Sequence, residues 1–399
     1  MIIPRKIFGE IEKYLESRQA IVVTGIRRVG KTTLLQYFFE KIPSKNKIFL
    51  DLEDPLNRQI FDPNSYEQIK IAFMRRGIDF SQKAYIFLDE IQFVPKIPSS
   101  VKYLYDHYSI KFFLTGSASF YLKNLFSESL AGRKYLFELY PLSFSEFLIF
   151  KNSNYKLPSF EEKVDKQTYE LFSALVEEYL FWGGMPEVVL LKNPQEKEAS
   201  LKDIFSSYFQ KEIQTLGDFR KNEVLRNLIL LLAKRAGQKI DIQRISQELG
   251  VSRQTVYEYL DFLSGTYLIS LLPCLGEIDI RTRKQKKVYL ADQGFFRILE
   301  KPPVGSIFEN IVFNQLKTQG EVFYYSKKTQ EIDFIVKTSN GEKFAFEVKE
   351  TTTLSDIKRI KKLGKKLGIK NSFVISLNYC PDPEVKYLFQ ISNLKTKSQ

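Results

Sequence analysis

The chain has 399 residues, 44% hydrophobic and 27% charged, the composition of a globular protein long enough for about two to four domains. No apolar run reaches the ~18–20 residues of a membrane span, and the charged start, MIIPRKIFGEIEKY, lacks a signal-peptide core. We therefore expect a cytoplasmic protein without a membrane partner.

The cysteines and histidines limit the metal chemistry. Two cysteines, Cys274 and Cys380, exclude a disulfide framework and a cysteine zinc site. The single histidine, His107, excludes His-ligated metals and argues against a Ser-His-Asp hydrolase. A metal would therefore sit on carboxylates, which favours Mg²⁺ or Mn²⁺.

The chain is basic, with a formal net charge of +13 and a pI of about 9.3. Such a balance suits a polyanionic partner, and we expect DNA. The densest basic stretch is IKRIKKLGKKLGIK (357–370), whose alternative interpretation is a solvated helix face. A merely lysine-rich proteome is the alternative for the charge as a whole.

The stretch AIVVTGIRRVGKTTLLQYFF (20–39) predicts a buried strand, a glycine-bracketed loop and the start of a helix. The pattern G-x4-G-K-T is that of a P-loop, in which backbone N–H groups and a helix N-terminus surround phosphates. Lys31 would supply a mobile charge to the β- and γ-phosphates of ATP, and the Thr32 hydroxyl would reach Mg²⁺. The predicted nucleotide-binding residues are Gly25, Val29, Gly30, Lys31, Thr32 and Thr33.

Two further strands, NKIFLDLEDP (46–55) and KAYIFLDEIQF (83–93), are continuous apolar runs typical of a parallel sheet covered on both faces. The second run ends in Asp89 and Glu90, and acids at the carboxyl end of such a strand point into the ligand crevice. We expect Asp89 to hold Mg²⁺ through water and Glu90 to polarise the attacking water. The alternative is a strand that merely ends in acids.

A fourth strand, IKFFLTGSAS (110–119), ends in hydroxyl residues that could sense the γ-phosphate. We predict Thr115 for this role in preference to Ser117. Arg133 lies beyond this strand, where a cation could reach the γ-phosphate in cis or from a neighbouring subunit. A surface arginine is the alternative.

Five stretches, GIRRVGKTTLL, FLDEIQ, FLTGSAS, LAGRKYLFELYPLSFSEFL and FWGGMPEVVL, occur in this order. They resemble the prokaryotic archaeal-type P-loop ATPases, AAA+-like proteins related to the signal-transduction (STAND) NTPases, and the resemblance covers essentially the whole chain. It implies Mg-ATP binding and hydrolysis on a sheet with an added strand between the two Walker strands. It supplies no substrate and requires no ring, so a homo-oligomer and a partner protein both stay open.

After the predicted ATPase core (1–150), helical periodicity predicts a connector (151–235). The stretch KIDIQRISQELGVSRQTVYEYLDFLSGTYLIS (239–270) then has helix-turn-helix spacing, which predicts a winged-helix domain (236–300). Its outward-pointing residues would be Arg253, Gln254 and Tyr257, which would contact DNA. Such domains also serve as packing modules between domains.

The last part of the chain (301–399) predicts an amphipathic helix followed by strands. The helix carries Glu309, a strand carries Asp333, and the next strand carries Glu347 and Lys349. Strand alternation puts the last two on one sheet face, about 7 Å apart.

These elements resemble the PD-(D/E)xK nuclease fold, although Ile332 stands where that pattern has proline. The resemblance implies that Asp333 and Glu347 are metal ligands, that Lys349 assists the nucleophile and that Glu309 aids the metal. The basic helix would lie where a phosphate backbone could run. Its predicted DNA-binding residues are Lys358, Arg359, Lys361 and Lys362.

The sequence thus predicts an α/β protein: an AAA+-like P-loop NTPase core, a helical connector, a winged helix and an α/β restriction-endonuclease-like C-terminal domain. The leading functional hypothesis is a Mg-dependent ATPase that couples nucleotide state to a DNA-binding, and in one version DNA-cleaving, C-terminal module. The alternative is a STAND-like regulatory switch whose tail binds proteins and has no nuclease activity. A sequence-specific transcription regulator ranks below both.

Overall fold

The computed structural model of the chain describes residues 2–62, 65–117, 132–213, 222–276, 281 and 284–394. The chain divides into two compact units. The first comprises Met1–Tyr140 and Gly265–Tyr267, and the second comprises Pro141–Ser264 and Leu268–Gln399. The predicted boundaries at 150, 235 and 300 all lie inside the second unit and stay predictions.

The first unit is built on parallel strands with helices between them. The strands are β1 (Ala20–Thr24), β2 (Lys47–Asp51), β3 (Ala84–Asp89), β4 (Ile110–Gly116) and β5 (Lys134–Glu138). The helices are α1 (Lys6–Glu12), α2 (Lys31–Lys41), α3 (Pro55–Arg58), α4 (Tyr66–Met74) and α5 (Ile97–His107). Every residue of β1 and β4 is buried, as continuous apolar runs predict for strands covered on both faces.

The strand order in this sheet is β2-β3-β4-β1-β5, and every pairing is parallel. β4 therefore lies between the strand that leads into the P-loop and the strand that ends in the paired acids. This is the added strand that the sequence resemblance implied. Because the strands are parallel, their carboxyl ends meet at one edge, where Val23 pairs with Thr115. The rings of Phe87 and Phe113 stack at 4.3 Å between centroids and fix β3 against β4.

The second unit combines helices with a mixed sheet. Its first helices are α6 (Phe144–Phe150), α7 (Lys166–Trp182), α8 (Pro186–Leu190), α9 (Pro194–Tyr208) and α10 (Asn222–Lys234). They are followed by α11 (Ile242–Leu249), α12 (Arg253–Gly265), α13 (Val304–Leu316) and α14 (Leu354–Lys366). α12 ends at Gly265, the residue at which the short segment of the first unit begins.

Two sheets belong to the second unit. The strands are β6 (Ile269–Leu272), β7 (Lys287–Leu290), β8 (Gly320–Lys327), β9 (Gln330–Thr338), β10 (Lys343–Lys349), β11 (Asn371–Ser376) and β12 (Val385–Lys386). β6 and β7 pair antiparallel with each other. The others form a sheet in the order β12-β11-β10-β9-β8, in which β8, β9 and β10 are antiparallel neighbours and β10, β11 and β12 are parallel.

α11 and α12 form the helix pair that the sequence predicted. The hydroxyl of Ser252 accepts a hydrogen bond from the backbone N–H of Thr255 at 3.0 Å, which caps the start of α12. Val256, Leu260 and Leu263 of α12 are buried. The identity of this region as a winged helix stays a prediction.

The FWGG stretch is explained by packing. Gly183 has a φ of +82°, and a Cβ there would lie 1.9 Å from an oxygen of Asp292. The Asp292 carboxylate accepts hydrogen bonds from the backbone N–H groups of Gly184 at 2.6 Å and Gly294 at 2.8 Å. The paired glycines thus let the turn after α7 close onto a buried carboxylate.

Candidate functional site

The loop between β1 and α2 is fixed by close contacts on both sides. A Cβ at Gly25 would lie 2.1 Å from the carbonyl oxygen of Leu139, so only glycine fits this approach. Val29 is buried, and its carbonyl oxygen accepts a hydrogen bond from Arg5 at 3.3 Å. Gly30 is the N-cap of α2. The N–H groups of the first turn of α2 therefore face the space that an anion would enter.

Lys31 is the first residue of α2, and only 3% of its side chain is exposed. Its ammonium donates hydrogen bonds to the carbonyl oxygens of Gly25 at 3.0 Å and Ile26 at 3.2 Å. It also lies 3.9 Å from a carboxylate oxygen of Glu90. The charge is thus held inside the loop, where phosphate oxygens would be stronger acceptors than carbonyls.

Thr32, Asp89 and Thr115 form a hydrogen-bonded chain across three elements. The Thr32 hydroxyl donates to Asp89 Oδ2 at 2.6 Å, and the Thr115 hydroxyl donates to Asp89 Oδ1. Burial and the neighbouring Glu90 raise the pKa of Asp89, whereas the hydrogen bonds from the two hydroxyls and the charge of Lys31 oppose that rise. β3, β4 and α2 are therefore joined at one carboxylate.

Glu90 follows β3 and has a left-handed backbone, with a φ of 52°. Its backbone N–H donates to the Thr115 hydroxyl at 3.2 Å, and its carboxylate accepts a hydrogen bond from Gln92. Burial would raise the pKa of Glu90, but the charges of Lys31 and Arg27 and the hydrogen bonds it accepts outweigh burial and lower it. The carboxylate is therefore held in its charged form beside the P-loop lysine.

Sequence reasoning missed Gln92 and Arg27. The Gln92 amide also donates to the Ser117 hydroxyl at 2.9 Å, so it connects Glu90 to the end of β4. Arg27 is buried within the loop, and its guanidinium lies 3.8 Å from Glu53. Gln92 stands in the motif FLDEIQ and Arg27 in the motif GIRRVGKT. The available signal in the sequence was a polar side chain close to the predicted catalytic acid or within the P-loop.

Two predicted residues lie away from these contacts. Thr33 is exposed on α2. The carbonyl oxygen of Arg133 accepts from the backbone N–H of Ala20 at 2.8 Å, at the start of β1, and its side chain pairs with Asp106 at 2.9 Å. The P-loop follows the other end of β1, about 16 Å away. The prediction that Arg133 acts within its own subunit is therefore corrected, while a role in a neighbouring subunit stays a prediction.

The oxygen atoms beside the P-loop fit Mg²⁺. The ion prefers hard oxygen ligands and is held in nucleotide sites by one or two side chains together with substrate phosphates. The Thr32 hydroxyl and the Asp89 carboxylate supply such oxygens, 2.6 Å apart. These two residues would hold the ion.

The four predicted residues of the C-terminal site lie in one cluster. Asp333 Oδ2 accepts a hydrogen bond from the backbone N–H of Val348 at 2.9 Å, which holds β9 beside the Glu347 strand. Lys349 lies 3.1 Å from Glu347, on the same face of β10. Burial and the charge of Asp333 raise the pKa of both Glu309 and Glu347, which is expected when carboxylates share a buried site.

Each carboxylate of this cluster is already paired with a protein cation. The guanidinium of Arg359 donates to Glu347. The ammonium of Lys287, from β7, contacts Glu309 at 3.2 Å and Asp333 at 3.4 Å. Within the described ranges, no group of three acidic, histidine or cysteine side chains is arranged to hold a metal ion. The oxygens have the right chemistry for Mg²⁺, but their present arrangement does not fit it.

The predicted DNA-contacting residues are exposed on two helices. Arg253, Gln254 and Tyr257 are exposed on α12, with Gln254 donating to Glu258 at 3.1 Å. The four predicted DNA-binding residues of α14 are also exposed, Lys358, Arg359, Lys361 and Lys362. Besides the Arg359 contact, Lys361 pairs with Glu384 at 2.8 Å. Their role in binding DNA stays a prediction.

Sequence families match almost the whole chain. An AAA domain family matches residues 17–148. Two domains of unknown function match residues 173–302 (DUF8612) and 304–393 (DUF4143). The AAA match, over the parallel sheet and the P-loop, defines the class of the protein: an AAA-type P-loop ATPase family.

The curated relatives are uncharacterized proteins. MJ1544 of Methanocaldococcus jannaschii is 31% identical over 379 residues, which cover 91% of this chain and 82% of that protein. A protein of Haemophilus influenzae is 29% identical over 378 residues, covering 88% and 89% of the two chains. The chain therefore belongs to the same family as MJ1544.

Solved structures are similar to this chain at low sequence identity and with TM-scores below 0.5. The Walker-type ATPase PABY2304 of Pyrococcus abyssi has a TM-score of 0.45 at 15% identity and covers 74% of this chain and 95% of its own. The Aeropyrum pernix ORC1 protein, solved in complex with DNA, has a TM-score of 0.34 at 12% identity, with coverages of 77% and 91%.

No helix in the described part of the chain combines the length and hydropathy of a bilayer-spanning segment.

Proposed function

We propose that the protein binds Mg-ATP at the P-loop, hydrolyses it, and couples nucleotide state to its C-terminal part. One observation carries this proposal: the 2.6 Å hydrogen bond between Thr32 on the P-loop helix and Asp89 at the end of β3. It joins the residue that follows the P-loop lysine to the acid expected to hold Mg²⁺. A glycine turn without a nucleotide would not require this contact.

The roles follow from position and charge. Lys31 neutralises the β- and γ-phosphates, and the N–H groups at the start of α2 bind their oxygens. Bound Mg²⁺ would neutralise charge that develops on the phosphates. Glu90, held charged beside Lys31, orients and polarises the attacking water. Thr115 links Asp89 to the backbone of Glu90 and so keeps the two acids in register.

Replacement of Lys31 by alanine tests the site. We expect Lys31→Ala to abolish measurable ATP binding, because the buried ammonium is the charge closest to the phosphate space. Isothermal titration of the full-length chain with ATP and Mg²⁺ would measure this. Lys41→Ala is the matched control, since Lys41 lies on the same helix but pairs with exposed Glu12 at 2.5 Å. Unchanged affinity in the Lys31 variant would rule out the P-loop assignment.

A DNA-binding, DNA-cleaving activity is the second candidate function. The observation that favours it is the hydrogen bond from the Val348 N–H to Asp333, which places this acid beside Glu347 and Lys349. Two acids and a lysine are the side chains that metal-assisted phosphodiester hydrolysis needs. The exposed basic face of α14 would bind the phosphate backbone in a salt-dependent manner.

Cleavage of plasmid and branched DNA in Mg²⁺ or Mn²⁺, with and without ATP, tests this candidate. Cleavage that Asp333→Ala removes, and that the exposed-turn control Glu342→Ala keeps, would support it. If the wild-type chain does not retain DNA at moderate salt and DNA does not stimulate its ATPase turnover, the ATP-driven switch is favoured instead.

A further inference from the structure

Lys287 reaches the C-terminal carboxylate cluster from β7, a strand that does not belong to the sheet carrying Asp333 and Glu347. Its ammonium lies 3.2 Å from Glu309, 3.1 Å from Glu331 and 3.4 Å from Asp333. Only 5% of its side chain is exposed. A single buried cation therefore contacts carboxylates from α13 and β9, although it is itself part of β7.

The surrounding groups favour a cation at this position. The Tyr289 hydroxyl donates to Glu309 at 2.7 Å, and the Lys239 ammonium donates to the second oxygen of Glu331 at 2.8 Å. Burial alone would lower the pKa of Lys287, but the three carboxylates outweigh burial and raise it. The ammonium is therefore charged and supplies the positive charge that a buried group of carboxylates requires.

An ammonium and a divalent ion compete for the same oxygens. Both are cations that need the same carboxylate oxygens at contact distance, so they repel each other and cannot occupy one position at the same time. This accounts for the absence, in the described ranges, of a three-acid group arranged for a metal ion.

We propose that the Lys287 ammonium takes the place of a divalent metal ion in the Glu309–Asp333 cluster and keeps this site closed to metal. The inference rests on the second candidate function because it concerns the same cluster. It can nevertheless be tested by metal binding alone, so the absence of DNA cleavage would not decide it.

Hydrogen bonds hold the strand of Lys287 in this position: the backbone N–H of Leu290 donates to Asn310 on α13 at 2.7 Å, and the backbone N–H of Gly237 donates to the carbonyl oxygen of Val288 at 2.8 Å. β7 pairs with β6 in a sheet of two strands, separate from the sheet of β8 to β12. A further bridge joins Lys287 to Lys239.

The test is a Mn²⁺ titration of the full chain, without nucleotide, followed by electron paramagnetic resonance of free Mn²⁺. We expect Lys287→Met to bind a Mn²⁺ ion at this cluster about 10- to 100-fold more tightly than the wild type does, because the competing ammonium is removed. The double variant Lys287→Met/Asp333→Asn should lose that ion. Lys287→Arg should stay like the wild type, as should Lys239→Met, the control lysine at the edge of the same cluster.

Several outcomes would overturn the proposal. The first is equal Mn²⁺ binding by the wild type and Lys287→Met, and another is an additional ion that survives Asp333→Asn. A wild type that already binds an ion at this cluster as tightly as Lys287→Met does, and loses it in Asp333→Asn, would also exclude the proposal, because Lys287 would then not compete with the metal. If Lys287→Met fails to fold, Lys287→Met/Glu331→Gln reduces the repulsion among the carboxylates and is expected to show the same additional ion.

Discussion

Asp89 and Glu90 are adjacent in sequence but differ in electrostatic environment. Burial and its acidic neighbour raise the pKa of Asp89. For Glu90, Lys31 and Arg27 outweigh burial, and the pKa falls. Pairs of acids whose environments separate their pKa values are typical of sites that divide chemical roles between them. The division proposed here, metal binding by Asp89 and water activation by Glu90, has this form.

Replacement of Glu90 by glutamine should separate binding from hydrolysis. We expect Glu90→Gln to lower kcat for ATP by about 10²- to 10⁴-fold, because the amide cannot polarise water as a carboxylate does. The ATP affinity should change little, since Lys31 and Thr32 are untouched. Phosphate release and ATP titration on the same preparation would measure the two quantities.

The control for this variant is Asp51→Asn. Asp51 pairs in register with Asp89 at the same edge of the sheet, but its carboxylate accepts from the backbone N–H of Glu53. We expect nearly unchanged turnover. If Asp51→Asn and Glu90→Gln lost turnover equally, general charge at this edge, and not water activation by Glu90, would be the cause.

At the scale of elements, the turn after α7 tolerates substitution poorly. Gly183→Ala would meet both an unfavourable φ of +82° and a Cβ 1.9 Å from the Asp292 carboxylate. We expect a loss of about 2–5 kcal/mol in the free energy of unfolding of the second unit. Urea unfolding followed by circular dichroism would measure it.

Gly305→Ala, in the first turn of α13, is the matched control in the same unit. The nearest atom to its Cβ is 4.0 Å away, so it should unfold at or slightly above the wild-type urea concentration. A comparable loss in both variants would mean that helix-end effects, and not the contact with Asp292, determine the result.

The elements also show which features a sequence can predict. Apolar runs ending in hydroxyls or acids predicted the parallel strands and placed Thr115, Asp89 and Glu90 at one edge, because strand direction decides where a strand's last residue lies. The same rule applied to Arg133, which precedes β5 and therefore lies at the opposite edge. The prediction placed Arg133 by its position after β4 in the sequence and did not recognise that a further parallel strand begins directly after it.

Lys287 could not have been predicted. It is 46 residues from Asp333 along the chain and belongs to a different sheet, so no local pattern links them. The acids Glu309, Asp333 and Glu347 were recognisable through the resemblance of their elements to the PD-(D/E)xK nuclease fold. Which residue supplies the neutralising cation depends on how β7 packs against α13 and β9, and only the three-dimensional structure shows this packing.

At the scale of the whole molecule, the segment Gly265–Tyr267 belongs to the first unit while its neighbours in sequence belong to the second. Tyr267 has a φ of 64°. Its hydroxyl lies 2.5 Å from the Thr24 hydroxyl and 3.1 Å from Glu138. Thr24 directly precedes the P-loop, so this segment is bonded to the strand that supports the nucleotide site.

Two compact units should give two melting transitions, of which ATP raises the one that belongs to the P-loop unit. We expect Tyr267→Phe to lower that same transition, by about 1–3 kcal/mol in stability, because the buried Thr24 hydroxyl loses a hydrogen-bond partner. Differential scanning calorimetry with and without ATP would measure both. A shift confined to the transition that ATP leaves unchanged would contradict this assignment.

The position of this segment has a consequence for dividing the gene. The chain passes from one unit to the other after Tyr140, again after Ser264 and once more after Tyr267. A fragment that stops at Tyr140 contains the whole P-loop sheet but lacks the tyrosine that bonds Thr24 and Glu138. No single cut separates the units cleanly, so a truncated ATPase fragment would need these three residues supplied by a grafted loop to reproduce the intact nucleotide site.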